Sequence, residues 1–201
     1  MTSPSFSAYA LRIVVVGAGG LGRCVAQYLE DARAAGAPEQ FAGFLDDRTN
    51  ASTQRPRDGL AIVGTPDQPP TGAVDRSIVA VASPEARRQL AERVAAAGGR
   101  FQSFVHPRAY VAPSARLGIG CVVGPLAFIG PYAELGEHVF VNAHAFVDHD
   151  TRIGPFSYLA PHSVIGGHAT LGERVFLEPH ALVEHGVHVP TCMRVRAGHE
   201  R

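Results

Sequence analysis

From Val105 onward the chain places an aliphatic residue at every sixth position. The series runs Val105, Val111, Leu117, Val123, Ile129, Leu135, Val141 and Val147, then Ile153, Leu159, Ile165, Leu171, Leu177, Val183, Val189 and Val195. Four positions after each stands a mostly small residue, as at Ala109, Ala115, Cys121, Ala127, Ala133, Ala145, Thr151, Ser157, Ser163 and Ala169. Glycine often follows the aliphatic residue directly, at Gly118, Gly124, Gly130, Gly136, Gly154, Gly166 and Gly172. A six-residue period fits neither the 3.6-residue helix nor the two-residue strand. It marks a parallel β-helix in which three hexads make one triangular coil. Residues three hexads apart then stack at the strand spacing of about 4.8 Å. The aliphatic column is predicted to fill the prism and the small residues its corners, with glycine accepting the unusual turn dihedrals there. About five coils are predicted over residues 105–201.

Residues 1–104 read differently. Leu11 to Val16 is a buried-strand run, followed at once by Gly17-Ala18-Gly19-Gly20-Leu21-Gly22 and a helical stretch to about Ala35. Further strands are predicted at Phe41 to Leu45, Leu60 to Val63, Ser77 to Ala82 and Phe101 to Val105, with a second helix from Pro84 to about Ala97. This alternation predicts a parallel α/β sheet, a Rossmann-like domain preceding the β-helix domain. The G-x-G-x-x-G run lies after a strand and before a helix, the setting in which glycines admit a phosphate to the helix N-terminus. Three readings stay open on the residues alone: a tight turn without ligand, a dinucleotide site, and a nucleotide or nucleotide-sugar site. One short α/β unit with no hydride-transfer domain fits the last best. Gly17, Gly19 and Gly20 would approach the phosphates, and Asp46 and Asp47, at a strand's carboxyl end, would hydrogen-bond base or sugar.

Composition narrows the function classes. Lysine plus arginine equal aspartate plus glutamate at 18 each, which gives no reason to expect nucleic acid or an anionic membrane as partner. No apolar run approaches the roughly 20 residues of a membrane span. Met1 to Ala10 lack the basic start and apolar core of a signal peptide. Cys24, Cys121 and Cys192 form no disulfide or metal spacing, so a reducing cytoplasm is expected. All ten histidines lie at or after His106.

The densest polar group is Val141-Asn142-Ala143-His144-Ala145-Phe146-Val147-Asp148-His149-Asp150. Its polar residues are predicted to face outward. His149, between two carboxylates, would have its charged form favoured and its tautomer fixed, as a general base requires. On chemistry alone, a surface or interface histidine is an equal alternative. His144, His162 and His180 should stack in one column, and His168 should overlie Asp150. An interface column is the plainest account of the stack, ahead of ligand contact; a metal site is not expected, because histidines on successive rungs do not converge tetrahedrally. Arg87-Arg88 reads as a solvated helix face.

Taken together, the strand with Gly17-Ala18-Gly19-Gly20, the Phe44-Leu45-Asp46-Asp47 strand end, the Val141-Asn142 and Val147-Asp148-His149-Asp150 segments, Ile153-Gly154 and Ala160-Pro161 resemble the bacterial sugar acyltransferases. That family includes sialic-acid O-acetyltransferases and the UDP-4-amino-sugar N-acetyltransferase of bacillosamine biosynthesis. The resemblance implies a left-handed β-helix, a homotrimer, a nucleotide-sugar in the α/β domain and coenzyme A along the β-helix of an adjacent subunit. It implies His149 as base, Asp150 as its assistant, and the Gly167 N–H as donor to the thioester oxygen. Tyr158 stands where the family often has a histidine that touches the acyl donor, and Glu178 replaces a glycine near the coenzyme path. His168 is expected near the coenzyme as well. The chain ends at Arg201, about one coil before the family's usual end. The expected function is transfer of an acetyl group from acetyl-CoA to the amine, or less favourably the hydroxyl, of a nucleotide-activated sugar, without a covalent acyl-enzyme. The rivals are a non-catalytic trimeric nucleotide-sugar-binding protein and a nicotinamide-dependent enzyme.

Overall fold

The computed structural model describes residues 10–47, 61–70 and 74–200, with the side chains of 198–200 left aside. The expectations placed on Met1 to Tyr9 and on Leu60 lie outside the described residues. The N-terminal elements are β1 (Leu11–Val16), α1 (Gly20–Ala34), β2 (Glu39–Leu45), β3 (Ile62–Gly64), β4 (Arg76–Val79) and α2 (Pro84–Ala96). All four strands are parallel in the order β3-β2-β1-β4. Strand order therefore reverses beside β1, and the carboxyl ends of β1 and β4 form the switch point at which sheets of this kind take ligands in a crevice. Ile13 to Val16 are fully buried, as a central parallel strand requires. Ser83 caps α2 by accepting from the Ala86 N–H, and Pro84 opens its first turn.

Two glycines of the first loop are dictated by packing. A Cβ on Gly22 would lie 1.8 Å from the Gly17 carbonyl oxygen. Gly17 itself has φ +102°, and a Cβ there would meet a Val81 methyl at 2.8 Å. The loop after β1 thus lies directly against the loop after β4.

From Phe104 the chain winds as a left-handed solenoid with three parallel faces. The first face has six strands, from Phe104–Val105 to Arg194–Val195. The second also has six, from Tyr110–Val111 to Gly198–Glu200, and the third has five, from Arg116–Leu117 to His188–Val189. Nearly six coils result rather than five, because Gly198–Glu200 pairs with Ala181–Val183 beyond the last aliphatic of the period. The predicted strand over Phe101 to Val105 is divided. Phe101 makes an isolated bridge to Ser77, whereas Phe104 donates its N–H to the Cys121 carbonyl and begins the first face. Inside the prism, Val123, Ile129, Val141, Val147, Leu159, Ile165 and Leu177 have no exposed surface. The small residues Ala133, Ala169, Thr151 and Ser157 are equally buried.

The hexad glycines serve closeness of approach rather than turn conformation. None of the glycines that directly follow an aliphatic residue has positive φ. A Cβ on Gly118, Gly166 or Gly172 would instead lie within 2.5 to 2.7 Å of the next coil's backbone nitrogen. The left-handed residue comes two positions later and is mostly not glycine: Leu126, Tyr132, His138, His144, Asp150, Phe156, His162, His168, Arg174 and His180 have φ between 54° and 60°. Such a conformation costs an L-residue roughly 1–2 kcal/mol. Inter-coil hydrogen bonds such as His168 N–H to the His149 carbonyl help to hold it.

The α/β domain packs on the first face. Val25 and Leu29 of α1 share a buried cluster with Phe104, Val122, Phe140 and Tyr158. Arg87, expected on a solvated helix face, is 1% exposed. Its guanidinium donates to the Val81, Ala82, His138 and Phe156 carbonyls, tying α2 and the loop after β4 to the solenoid. Arg88 behaves as expected, pairing with Glu85 and Glu92 on the helix surface.

Candidate active site

On the β2 side of the switch point, the candidate crevice is formed by the ends of β1 and β2 and the start of α1. Asp46 is mostly buried, and its carboxylate accepts the Ala18 N–H at 2.8 Å, which locks the glycine loop to the end of β2. Asp47 points outward and receives two hydrogen bonds from Arg93, at 2.8 and 2.7 Å. Those bonds hold its carboxyl below the ordinary range. Gly19 and Gly20 differ from Gly17 and Gly22, since a Cβ on either would meet nothing within 4 Å. Gly19 is the N-cap of α1 and supplies no side-chain acceptor. Fold packing does not require these two glycines, and the first turn of the helix lacks a side-chain cap.

The second group lies at the corner between the second and third faces. His149 Nδ1 is 2.8 Å from Asp150 Oδ2, and the His149 N–H donates to Asp148 Oδ1 at 2.8 Å. An ionised carboxylate only accepts, so Nδ1 carries the proton and Nε2 is left free. The bond to Asp150 raises the His149 pKa, slight burial opposes it, and the charges of Asp148 and Asp150 add to it. A Cβ on Gly167 would lie 2.8, 2.9 and 3.3 Å from His149 Nε2, Cε1 and Cδ2, so the missing side chain is what lets the imidazole lie over this glycine with its free nitrogen beside the backbone. Among the described residues, no acceptor takes the Gly167 N–H. His168 overlies Asp150 as predicted, its Nε2 3.9 Å from Oδ2.

His149, Asp150, Gly167 and His168 are therefore brought together. Tyr158 is not with them. It is 6% exposed on the first face, where its hydroxyl accepts from the Asn142 amide at 2.8 Å. Asn142, expected to face outward, is buried by this contact, and its Oδ1 accepts the Ala143 N–H. The glycine loop, Asp46 and Asp47 belong to the α/β domain that covers the first face, away from the His149 corner. His144, His162 and His180 stack as predicted, with centroids 4.7 and 5.1 Å apart, at the corner between the first and second faces. Glu178 is paired with Arg194 at 2.7 Å. Cys121 is buried and its thiol pKa is pushed up to about 11, mainly by that burial.

Comparison with known proteins bears on this arrangement. Residues 12–94 match the family model described as the PglD N-terminal domain. No curated protein matches. Among solved structures, PerB from Caulobacter crescentus in complex with CoA and GDP-perosamine is 30% identical, covers 94% of this chain and 88% of its own, and superimposes with a TM-score of 0.81. The chain belongs to the hexapeptide-repeat family of bacterial sugar N-acetyltransferases. A second relative is the acetyltransferase domain of PglB from Neisseria gonorrhoeae in complex with acetyl coenzyme A. It is 30% identical over 92% of this chain and 95% of that one, with a TM-score of 0.67. WeeI from Acinetobacter baumannii, 20% identical over 92% of this chain and 95% of its own, shares the fold with a TM-score of 0.66.

Within this acyltransferase, two side chains matter, one that the sequence reading misplaces and one that it passes over. Arg87 looks like any helix arginine until its four carbonyl acceptors are known. His185 is different, because its register carried the signal: it stands eighteen residues beyond Gly167, which stands eighteen beyond His149. Among the described residues, no helix is long and apolar enough to cross a membrane.

Proposed function

We propose that this protein transfers an acetyl group from acetyl-CoA to the amine of a nucleotide-activated sugar, with His149 as general base. The observation that carries the reading is the close approach of the free His149 Nε2 to Gly167, whose N–H has no acceptor among the described residues. A thioester carbonyl seated there would have its oxygen beside the N–H and its carbon beside an amine that His149 deprotonates. Asp150 keeps the imidazole in the useful tautomer and favours its cation once the proton is taken. No acyl-enzyme is invoked, since the thiol of Cys121 is buried and its ionisation suppressed.

The nucleotide-sugar reading for the crevice rests on Gly19 and Gly20, whose open backbone would admit phosphates at the start of α1. In it, Gly17 and Asp46 shape the loop, and Asp47 offers its outer carboxylate to base or sugar. His168 lies where the coenzyme would pass, and Tyr158 acts through Asn142. Crevice and base sit on different sides of one protomer, so a homotrimer in which one copy presents its crevice to another's corner fits the layout. The second face favours such packing: Tyr110, Phe128 and Phe146 stack there at 5.0 and 4.7 Å, and Tyr110 and Phe146 are exposed. Three unpaired thiols are in keeping with a cytoplasmic enzyme.

The test is thiol release from acetyl-CoA with a panel of nucleotide amino sugars, alongside mass by light scattering. Turnover with at least one of them by a trimer is the expected result. A panel that stabilises the protein against heat yet never releases thiol would favour a binding protein instead.

A further inference from the structure

A second imidazole lies close to that of His149 and has no part in the scheme above. His149, Gly167 and His185 occupy the same corner position on successive coils. Two strand spacings amount to about 9.6 Å. The rings of His149 and His185 nevertheless have centroids 6.5 Å apart, inclined at 59°, so they lean toward each other over the glycine. His168 meets both edge-on, with its centroid 5.1 Å from each. The His185 ring is exposed and makes no hydrogen bond among the described residues. Here a Cβ at position 167 would collide with the His149 ring, so the glycine lets that imidazole lie over its coil, toward His185.

Acyl transfer from a thioester to an amine needs two proton movements at different atoms. The nitrogen must lose a proton, and the departing sulfur must gain one. One imidazole at the nitrogen provides for the first. We propose that His185 is the general acid for the second, protonating the coenzyme sulfur as the thioester breaks. This rests on the reading of His149 as base at the same corner. As the amine nitrogen bonds to the carbonyl carbon, its proton passes to His149 Nε2. The C–S bond then breaks, its electron pair goes to sulfur, and the proton on the His185 imidazolium completes the thiol. His185 ends neutral and His149 cationic. Exchange with solvent, or passage by way of His168 and Asp150, resets the pair. Atoms and charge balance without any further reactant.

The test uses the full-length protein and compares leaving groups. His185→Ala, at an exposed turn, should leave fold and assembly intact and lower kcat with acetyl-CoA by about a hundredfold. With the acetyl thioester of 5-thio-2-nitrobenzoate, whose thiolate leaves without help, the loss relative to wild type should shrink to within about threefold, because the acid is no longer needed. Imidazole added to His185→Ala should restore part of the acetyl-CoA rate. His149→Ala should lose rate with both donors. Equal losses for His185→Ala on both donors with no rescue by imidazole, or an undiminished acetyl-CoA rate, would overturn the proposal. The same experiment separates the two readings: a fully active His149→Ala removes the base, whereas a fully active His185→Ala beside a crippled His149→Ala removes the acid alone.

Discussion

At the corner between the first and second faces, His144, His162 and His180 lie one above another with rings nearly parallel, at 12° and 6°. At the corner between the second and third faces, His149, His168 and His185 meet with their rings at steep angles around Gly167. His144, His162 and His180 stand eighteen residues apart, as do His149, Gly167 and His185, with His168 eighteen beyond Asp150. Three things separate them. The second has a carboxylate at hydrogen-bond distance, a glycine over which the His149 ring lies, and a backbone N–H without an acceptor among the described residues. A repeat can place histidines in register; a glycine on one rung lets a ring nitrogen come down beside a backbone N–H. The third corner shows a further outcome. There His138 is buried, stacked on Phe156 at 5.1 Å, and its pKa is pushed down to about 4, chiefly by burial.

The largest effect expected from breaking this contrast is that of His149→Ala. It should lower kcat by roughly 10²–10⁴-fold in steady-state kinetics, the usual contribution of a positioned base. Gly167→Ala comes next. Its methyl would overlap the His149 ring and push it aside, with a cost of about a hundredfold in kcat and little loss of stability. The His138 corner should register in folding rather than turnover. With the folded pKa near 4 and an ordinary value of 6.5, the unfolded chain takes up the proton first as pH falls. Stability is then complete above about pH 6.5 and declines toward pH 4, by at most about 3 kcal/mol. Urea unfolding of wild type and His138→Phe at pH 7 and pH 5 checks this, with a flatter dependence expected for the variant. The smallest effect belongs to His162→Ala, which should change kcat by less than about threefold once assembly is matched, since its column has no carboxylate and no glycine between its rings.

Much of this contrast was legible in the chain. The hexad period gave the core, because an inward position in a solenoid has no alternative to an apolar side chain, and it gave the histidine stack and the overlay of His168 on Asp150. Other features were not local enough to read. Whether Gly118 and Gly166 serve conformation or clearance depends on the next coil's backbone, which the spacing does not reveal. Arg87 is buried by carbonyls from the loop after β4 and from two successive coils at one corner of another domain. Asn142 turns inward because Tyr158, one coil later, offers a hydroxyl. In the crevice, the motif did not distinguish glycines that packing demands from those it leaves open. Gly17 and Gly22 are of the first kind, Gly19 and Gly20 of the second.

The pairing of His149 with Asp150 as the base is tested most directly by the pH dependence of kcat/KM in wild type and Asp150→Asn. A base acts unprotonated, so the rate should fall as pH drops through the His149 pKa. Asp150, by its hydrogen bond, holds that pKa above the ordinary histidine value. Replacing it with Asn removes the largest raising influence, so the acid limb should move to lower pH while the plateau falls about tenfold, as the imidazolium loses its counter-charge. An acid limb that stays in place in Asp150→Asn, with the plateau unchanged, would show that another group is the base.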